Sequence, residues 1–75
     1  MLTNLERKIL HVDDDPSILR LVSKVLTKRG YKVFSVSDPN LAIQTLKESS
    51  ARLVFIDIDM PEKSGLELLE EIKKI

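Results

Sequence analysis

The feature that constrains the fold most is the run Leu-Val-Phe-Ile at residues 53–56, which is apolar at every position and is followed at once by Asp57. Strands of antiparallel sheets usually alternate apolar and polar residues, because one of their faces meets water. A strand that is covered on both faces is apolar throughout. We therefore predict a buried strand of a parallel sheet with an acidic residue at its carboxyl end.

Two further segments have the character of strands. Residues 9–12, Ile-Leu-His-Val, are short and largely apolar, and three consecutive aspartates follow them. Residues 31–37 contain Val33, Phe34 and Val36 but also a lysine and two serines, which is typical of an edge strand. We predict that the first of these strands, like residues 53–56, stops at an acidic edge.

Helices are predicted between and after the strands. Asp15 followed by Pro16 is a helix start, because the aspartate accepts from free N–H groups and proline lacks a donor where none is needed. This first helix is expected to span residues 16–29, with Gly30 as its stop. Asp38-Pro39 has the same pattern of a capping aspartate followed by proline, and it predicts the start of a second helix that ends at Ser49 and Ser50. The expected core face of this helix carries Ala42, Ile43 and Leu46.

A third helix is predicted to follow Ser64, because Ser64 and Glu67 have the spacing of a capping box. Its expected core face carries Leu66, Leu69, Ile72 and Ile75.

The order of elements is βαβαβα, which predicts an α/β fold with three parallel strands and helices on both faces of the sheet. We expect the strand order 2-1-3, which puts the first and third strands side by side. Ligands of such sheets bind beyond the carboxyl ends of the strands, where the order reverses. Asp13, Asp14 and Asp57 are expected to meet there.

Length and composition exclude several classes of protein. The chain has 75 residues and no cysteine, so we expect one small domain over residues 8–75, preceded by a polar leader over residues 1–7, and no disulfides. Twelve basic and twelve acidic residues give a net charge of zero, which disfavours nucleic acid and anionic membranes as partners. The longest apolar run is too short for a membrane span or a signal peptide, so we predict a cytoplasmic protein.

Clustered carboxylates at the end of a sheet repel each other, so the predicted cluster favours a bound cation. Oxygen ligands suit Mg²⁺, which commonly takes one or two carboxylates together with phosphate oxygens. A carboxylate beside such an ion is able to attack phosphorus, and Asp57 is the candidate nucleophile. The alternative is that the three aspartates at residues 13–15 form only a helix cap and a solvated loop. Asp15 itself is interpreted as a helix cap only. His11 is interpreted as a packed core residue, and Lys63 as a solvated loop residue that could approach a phosphate.

Three motifs together resemble the receiver domain of two-component response regulators. They are Lys-Ile-Leu-His-Val-Asp-Asp-Asp-Pro-Ser-Ile at residues 8–18, Leu-Val-Phe-Ile-Asp-Ile-Asp-Met-Pro at residues 53–61, and Ser-Gly-Leu-Glu-Leu-Leu at residues 64–69. The resemblance implies a flavodoxin-like fold and a signalling module rather than an enzyme. It implies phosphorylation of Asp57 by a histidine kinase or a phosphotransfer protein.

The same resemblance implies the ligands of a magnesium ion. Asp13 and Asp14 would be the acidic pair that holds Mg²⁺ beside Asp57, and the main-chain carbonyl of Asp59 would complete its shell. Met60, Pro61 and Gly65 match the family's loop after the phosphorylation site.

Receivers have five βα units, and this sequence contains three, so the resemblance describes a truncated receiver. The fourth-strand Ser or Thr, the fifth-strand Lys and the later signalling surface have no counterpart in the sequence. With the order 2-1-3, the third strand would lie at an edge although its pattern is that of a buried strand. We therefore expect a symmetric homodimer that joins, or exchanges elements, near the third strands.

Two other interpretations remain. The chain could be a self-assembling structural half-domain or engineered fragment whose acidic site is idle. The pair Asp57 and Asp59 also has the spacing of phosphatases of the haloacid dehalogenase type, although Met60 and Pro61 depart from that pattern.

Overall fold

The described part of the chain alternates strands and helices. In the computed structural model it comprises residues 7–58, 60 and 63–74. The elements, in chain order, are β1 (Lys8–Val12), α1 (Pro16–Lys28), β2 (Lys32–Val36), a 3₁₀ turn (Pro39–Leu41), α2 (Ala42–Ser49), β3 (Leu53–Ile56) and α3 (Gly65–Lys73). The predicted order βαβαβα is confirmed. The predicted leader lies almost wholly outside the described residues.

The three strands form one parallel sheet in the order β2-β1-β3, as predicted. In this register, Ile9 of the central strand is aligned with Val33 of β2 and with Leu53 of β3. Because β1 has a neighbour on each side, it is the most deeply buried strand, and Leu10 and Val12 are fully covered.

Helices cover both faces of the sheet. On one face, α2 and α3 pack over a core made of Leu10, Val12, Val36, Ala42, Ala51, Met60 and Leu68. Of the predicted core face of α2, Ala42 is buried, and Ile43 and Leu46 pack against this cluster. On the other face, α1 covers the alternate residues of β1, so that Ile9 and His11 are also buried.

The expectation that β3 is covered on both faces is wrong for one of them. Val54 and Ile56 pack against the core, but Leu53 and Phe55, which alternate with them, are 42% and 45% exposed. Side chains of successive strand residues point to opposite faces, and Leu53 and Phe55 therefore lie on the α1 face. Among the described residues, α1 covers β1 but leaves this part of β3 open.

The core face of α3 also differs from the prediction. Leu68 is fully buried, whereas Leu66 and Leu69 are 62% and 39% exposed. Ile72 packs against the core as predicted, and Ile75 lies outside the described residues. Compared with the prediction, α3 is rotated about its own axis. Leu68 and Ile72, which are four residues apart and lie on one side of the helix, face the core cluster.

The helix starts agree with the capping pattern in the sequence. The Asp15 carboxylate accepts a hydrogen bond from the Ser17 amide at 2.8 Å. The Ser64 hydroxyl accepts one from the Glu67 amide at 3.1 Å. Asp38 likewise caps its own segment by accepting from Asn40, but the segment it caps is the 3₁₀ turn, and α2 begins only at Ala42.

Candidate functional site

Three carboxylates meet at the carboxyl ends of β1 and β3. One side-chain oxygen from each of Asp13, Asp14 and Asp57 lies within 4.8 Å of the other two. Asp13 is buried, Asp57 is half-buried and Asp14 is exposed, so the cluster extends from the protein interior to the solvent. The structure thus brings together the three side chains that the sequence predicts to meet.

Main-chain hydrogen bonds fix the relative positions of these residues. The Asp13 amide donates to the Val36 carbonyl of β2 at 3.1 Å, and the Asp57 amide donates to the Val12 carbonyl of β1 at 2.9 Å. Both bonds continue the sheet one residue beyond the strands. Two of the three residues, Asp13 and Asp57, are therefore held at the end of the sheet, and Asp14 lies in the turn that leads to α1.

The turn between β1 and α1 orients the buried carboxylate. Asp13 accepts a hydrogen bond through Oδ1 from the Asp15 amide at 2.9 Å, and its Oδ2 lies 3.9 Å from His11 Nε2. The Asp15 carboxylate in turn caps α1 through Ser17. Asp15 therefore serves as a cap, as predicted, and takes no part in the three-carboxylate cluster.

The start of α3 lies directly behind Asp57. The Gly65 amide donates to the Ile58 carbonyl at 3.0 Å, and an added Cβ at Gly65 would meet the Asp57 carbonyl oxygen and, at 2.8 Å, the Cα of Ile58. The sequence shows this glycine only as part of the family motif. Its position at the first residue of a capped helix is the signal for a close approach of two backbone segments.

The remaining residues that the sequence singles out have different outcomes. Asp59 and Pro61 lie outside the described residues, so the proposed ligand carbonyl of Asp59 does too. His11 is buried, as predicted, and its ring makes an edge contact with Phe55 at 6.4 Å between centroids. Lys63 is not a freely solvated residue, because its ammonium binds both carboxylate oxygens of Glu71 at 2.7 and 2.9 Å.

The donor set fits a hard divalent cation. Like charges about 4 to 5 Å apart repel by roughly 3 to 4 kcal/mol per pair at an effective dielectric constant near 20. All three groups offer oxygen, which Mg²⁺ prefers, and the exposed side of the cluster leaves room for water or phosphate oxygens.

The chain belongs to the family described as "Response regulator receiver domain", which matches residues 9–75. The family decides between the interpretations made from the sequence, in favour of the receiver and against the phosphatase. Receiver domains are signalling modules that bind magnesium at their acidic site and interact with histidine kinases.

Individual relatives agree with this assignment. A curated relative, the transcriptional regulatory protein CpxR homolog of Haemophilus influenzae, is 40% identical over 68 residues, which are 91% of this chain and 30% of the relative. The response regulator TrrA of Thermotoga maritima, solved with Mg²⁺-BeF, is 37% identical with a TM-score of 0.83, over 89% of this chain and 58% of TrrA.

A further structure contains the histidine kinase ThkA in complex with TrrA. This chain matches it with 37% identity and a TM-score of 0.82, over 89% of its own length and 58% of the matched chain. The chain thus spans under a third of the curated relative and somewhat more than half of these structures. No helix in the described part of the chain is long and apolar enough to cross a membrane.

Proposed function

We propose that this chain is a phosphoacceptor module of a two-component phosphorelay and that Asp57 is the residue phosphorylated. The observation that carries the proposal is the approach of Asp13, Asp14 and Asp57 to within 4.8 Å at the ends of adjacent parallel strands. Membership in the receiver family supports the same role.

The reaction assigned to Asp57 is a phosphoryl transfer. One Asp57 carboxylate oxygen attacks the phosphorus of the donor, an O–P bond forms, and the bond from phosphorus to the donor breaks. The electron pair of that bond leaves with the donor group, which is an imidazole nitrogen when the donor is a phosphohistidine. Asp57 is suited to this step because its main chain is held to β1 and its carboxylate is half-buried beside water.

Magnesium is the proposed cofactor, held by Asp13, Asp14 and Asp57 together with the main-chain carbonyl of Asp59. When bound, it neutralises charge on the carboxylates and on the transferring phosphoryl group. Asp13 contributes a carboxylate that the Asp15 amide already orients, so one ligand is preorganised.

The proposed phosphodonor is a histidine kinase or a phosphotransfer protein in the cytoplasm. The complex of ThkA with TrrA supports a partner of this kind, because this chain resembles TrrA over most of its own length.

The experiment that tests the function is incubation of the 75-residue chain with Mg²⁺ and acetyl phosphate, followed by intact mass measurement. We expect one added phosphoryl group that is stable in acid, is lost in hydroxylamine, and is absent from Asp57→Asn. Asp38→Asn is the matched control, because Asp38 caps a turn outside the cluster. Equal labelling of the wild type and Asp57→Asn would refute the proposal.

We also propose that the chain forms a homodimer through the region of β3. The observation that favours it is the exposure of Leu53 and Phe55 on a strand with a single neighbour among the described residues. Exposed apolar edge strands recruit other chains. Sedimentation of a compact monomer at micromolar concentrations would exclude this assembly.

The exposure of Leu53 and Phe55 also favours a second candidate function, a self-assembling half-domain whose acidic site binds no metal. A Mg²⁺ titration followed by amide chemical shifts separates the two candidates. Saturable shifts at Asp13, Asp14 and Asp57 support the phosphoacceptor, whereas unchanged shifts with intact self-association support the idle site.

A further inference from the structure

A groove runs along α1 on the side of this helix that faces β2. It has a volume of about 590 Å³, and it is lined by residues of α1 between Leu19 and Lys28 and by Ser35 of β2. We call it the α1–β2 groove. Its lining includes none of the three carboxylates at the ends of β1 and β3, so the groove is separate from the candidate phosphorylation site.

Three basic side chains line the groove in one row. Arg20, Lys24 and Lys28 are four residues apart, which places them on one side of the helix, and all three are exposed. None of them has an ion-pair partner among the described residues. α1 contains no acidic residue, although the whole chain has as many acidic as basic residues. The groove is therefore a local surplus of positive charge on a chain of zero net charge.

The composition of the lining indicates that the groove is a surface in contact with water. Besides the three cations, it contains the hydroxyl residues Ser23, Thr27 and Ser35. Covering unpaired ammonium and guanidinium groups with an apolar element is strongly unfavourable, because they lose their hydration and gain no partner. An element that covers this groove therefore has to bring negative charges of its own.

The edge of β2 beside the groove is open among the described residues, since β1 is the neighbour of β2 on its other side. The Lys32 amide donates to the Arg7 carbonyl, which places the main-chain amide of Lys32 towards β1. The Val36 carbonyl accepts from the Asp13 amide and also faces β1. Main-chain groups of successive strand residues face opposite edges, so the amide and carbonyl of Ser35 face the open edge. Exposed Lys32 and Ser35 are typical of a strand whose edge stays in water.

The spacing of the cations matches that of side chains on an extended segment. Residues four apart in a helix are about 6 Å apart along its axis, and alternate residues of a strand are about 6.6 Å apart. A segment laid along β2 would therefore present an acidic residue at every second position to the row of cations. The residues between them would lie on the other face of the sheet beside Phe34, which packs against the core and favours apolar neighbours.

We propose that the α1–β2 groove binds an extended acidic segment of a partner protein, which adds to the sheet as a strand beside β2. Its acidic side chains pair with Arg20, Lys24 and Lys28, and its main chain bonds to the amide and carbonyl of Ser35. An acidic helix has a similar charge spacing but leaves these main-chain groups without a partner. Strand addition is a general mode of peptide recognition, in which main-chain bonds give affinity and side chains give specificity. This binding depends neither on phosphorylation nor on self-association.

The probe is a fluorescein-labelled peptide of sequence Thr-Glu-Val-Glu-Val-Glu-Thr with blocked ends. Its three glutamates alternate with apolar residues, as the proposed segment requires. Fluorescence anisotropy with the 75-residue chain gives the dissociation constant. We expect saturable binding that weakens at least fivefold when the salt concentration rises from about 0.05 M to about 0.5 M, because salt screens the exposed ion pairs. Absence of saturable binding at the lower salt concentration would refute the proposal.

Charge-removing variants test the row of cations. Exposed ion pairs contribute little individually, so we expect Lys24→Gln to raise the dissociation constant roughly threefold. Arg20→Gln, Lys24→Gln and Lys28→Gln combined should raise it at least tenfold. Lys47→Gln is the matched control for the single variant, because it removes the same charge from an exposed position of α2, on the opposite face of the sheet. Equal weakening by Lys24→Gln and Lys47→Gln would show a dependence on net charge alone and would exclude the groove.

A substitution in β2 tests the main-chain bonds. Ser35→Pro removes the amide that faces the open edge and keeps all three cations, and proline is tolerated at such edge positions. We expect it to raise the dissociation constant at least tenfold, whereas Ser35→Ala, which keeps the amide, should stay within about threefold of the wild type. Circular dichroism verifies that both variants are folded. Equal binding by Ser35→Pro and Ser35→Ala would contradict the strand addition.

Modified peptides test the same bonds without changing the protein. One version is N-methylated at its glutamates and the other at its valines, so each version blocks one edge of the added strand. We expect one version to lose at least tenfold in affinity and the other to stay within about threefold of the parent peptide. Equal affinities of the two versions would refute the addition of a strand.

Two further probes represent other occupants of a basic groove. They are a helical peptide with glutamates at intervals of four residues and a single-stranded oligomer of thymidine nucleotides. We expect both to bind more weakly than the extended peptide, since neither bonds to the open edge of β2. Tighter binding of either probe would overturn the extended acidic segment as the occupant.

Discussion

Gly65, the first residue of α3, packs directly against the main chain of Asp57. An added Cβ at this position would contact the Asp57 carbonyl oxygen and lie 2.8 Å from the Cα of Ile58. The helix therefore approaches the strand end at a distance that a side chain would prevent. The backbone contact links the packing of α3 to the position of the proposed phosphoacceptor.

Gly65→Ala is expected to displace α3 from the strand end. Overpacking of this kind costs about 1 to 3 kcal/mol, and here the displaced atoms include the main chain of Asp57. We therefore expect a lower free energy of unfolding in urea and slower labelling by acetyl phosphate at a Mg²⁺ concentration that saturates the wild type. Gly30→Ala is the control, because its positive φ of 92° makes alanine strained at a position that is not in the cluster. If the two variants had the same free energy of unfolding and the same loss of labelling, the loss would come from lower stability and not from a displaced Asp57 main chain.

The three-carboxylate cluster predicts opposite effects of one substitution with and without metal. Asp14→Asn removes one of three mutually repelling charges and, because Asp14 is exposed, leaves the buried packing unchanged. The metal-free variant is expected to be more stable than the wild type by roughly 1 kcal/mol. In millimolar Mg²⁺ the order should reverse, since the stabilisation by a ligand follows its affinity.

Thermal unfolding with and without Mg²⁺ measures this reversal. Asp38→Asn, which retains an oxygen acceptor at a cap outside the cluster, should show the same Mg²⁺ dependence as the wild type. An Asp14→Asn protein that is stabilised by Mg²⁺ as strongly as the wild type would exclude Asp14 as a ligand.

Asp15 is expected to affect the stability of α1 and not the affinity for metal. Its carboxylate caps the helix through the Ser17 amide at 2.8 Å. Asp15→Ala should lower the free energy of unfolding by about 1 kcal/mol, and Asp15→Ser should retain most of it, because serine is also a good cap. Calorimetric titration with Mg²⁺ should give dissociation constants within about twofold of the wild type for both variants. A tenfold loss of Mg²⁺ affinity in Asp15→Ser would instead identify Asp15 as a ligand of the metal.

The strands themselves and the acidic residues at their ends follow from local sequence signals. The apolar runs before Asp13 and Asp57 identify two strands that end in acidic residues. The crossover rule fixes the handedness of the connections but allows more than one strand order, and the order 2-1-3 is the one that puts these two strands side by side. The caps at Asp15 and Ser64 were equally visible, because each is a local interaction between a side chain and amides two or three residues along the chain.

The faces of α3 and β3 could not be predicted in the same way. α3 contains Leu66, Leu68 and Leu69, and a helix so rich in leucine has more than one possible apolar face. Contact with the core cluster selects Leu68. The pattern of β3 indicates what the strand is able to bury on each face. It does not indicate that Phe55 is left 45% exposed, because that depends on where the helices pack on the sheet.

The end of α2 offers a prediction about the backbone alone. Ser50 follows the helix with φ of 59° and ψ of 28°, and its amide donates to the Leu46 carbonyl at 3.0 Å. This left-handed conformation is unfavourable for residues with a Cβ and suits glycine. Ser50→Gly is therefore expected to raise the free energy of unfolding by about 0.5 to 1 kcal/mol, and Ser50→Val to lower it by at least as much. Urea unfolding measures both changes, and since Ser50 is exposed and lies outside the cluster, Mg²⁺ binding should be unaffected. Destabilisation by Ser50→Gly would mean that the serine contributes more to the helix end than its backbone strain costs.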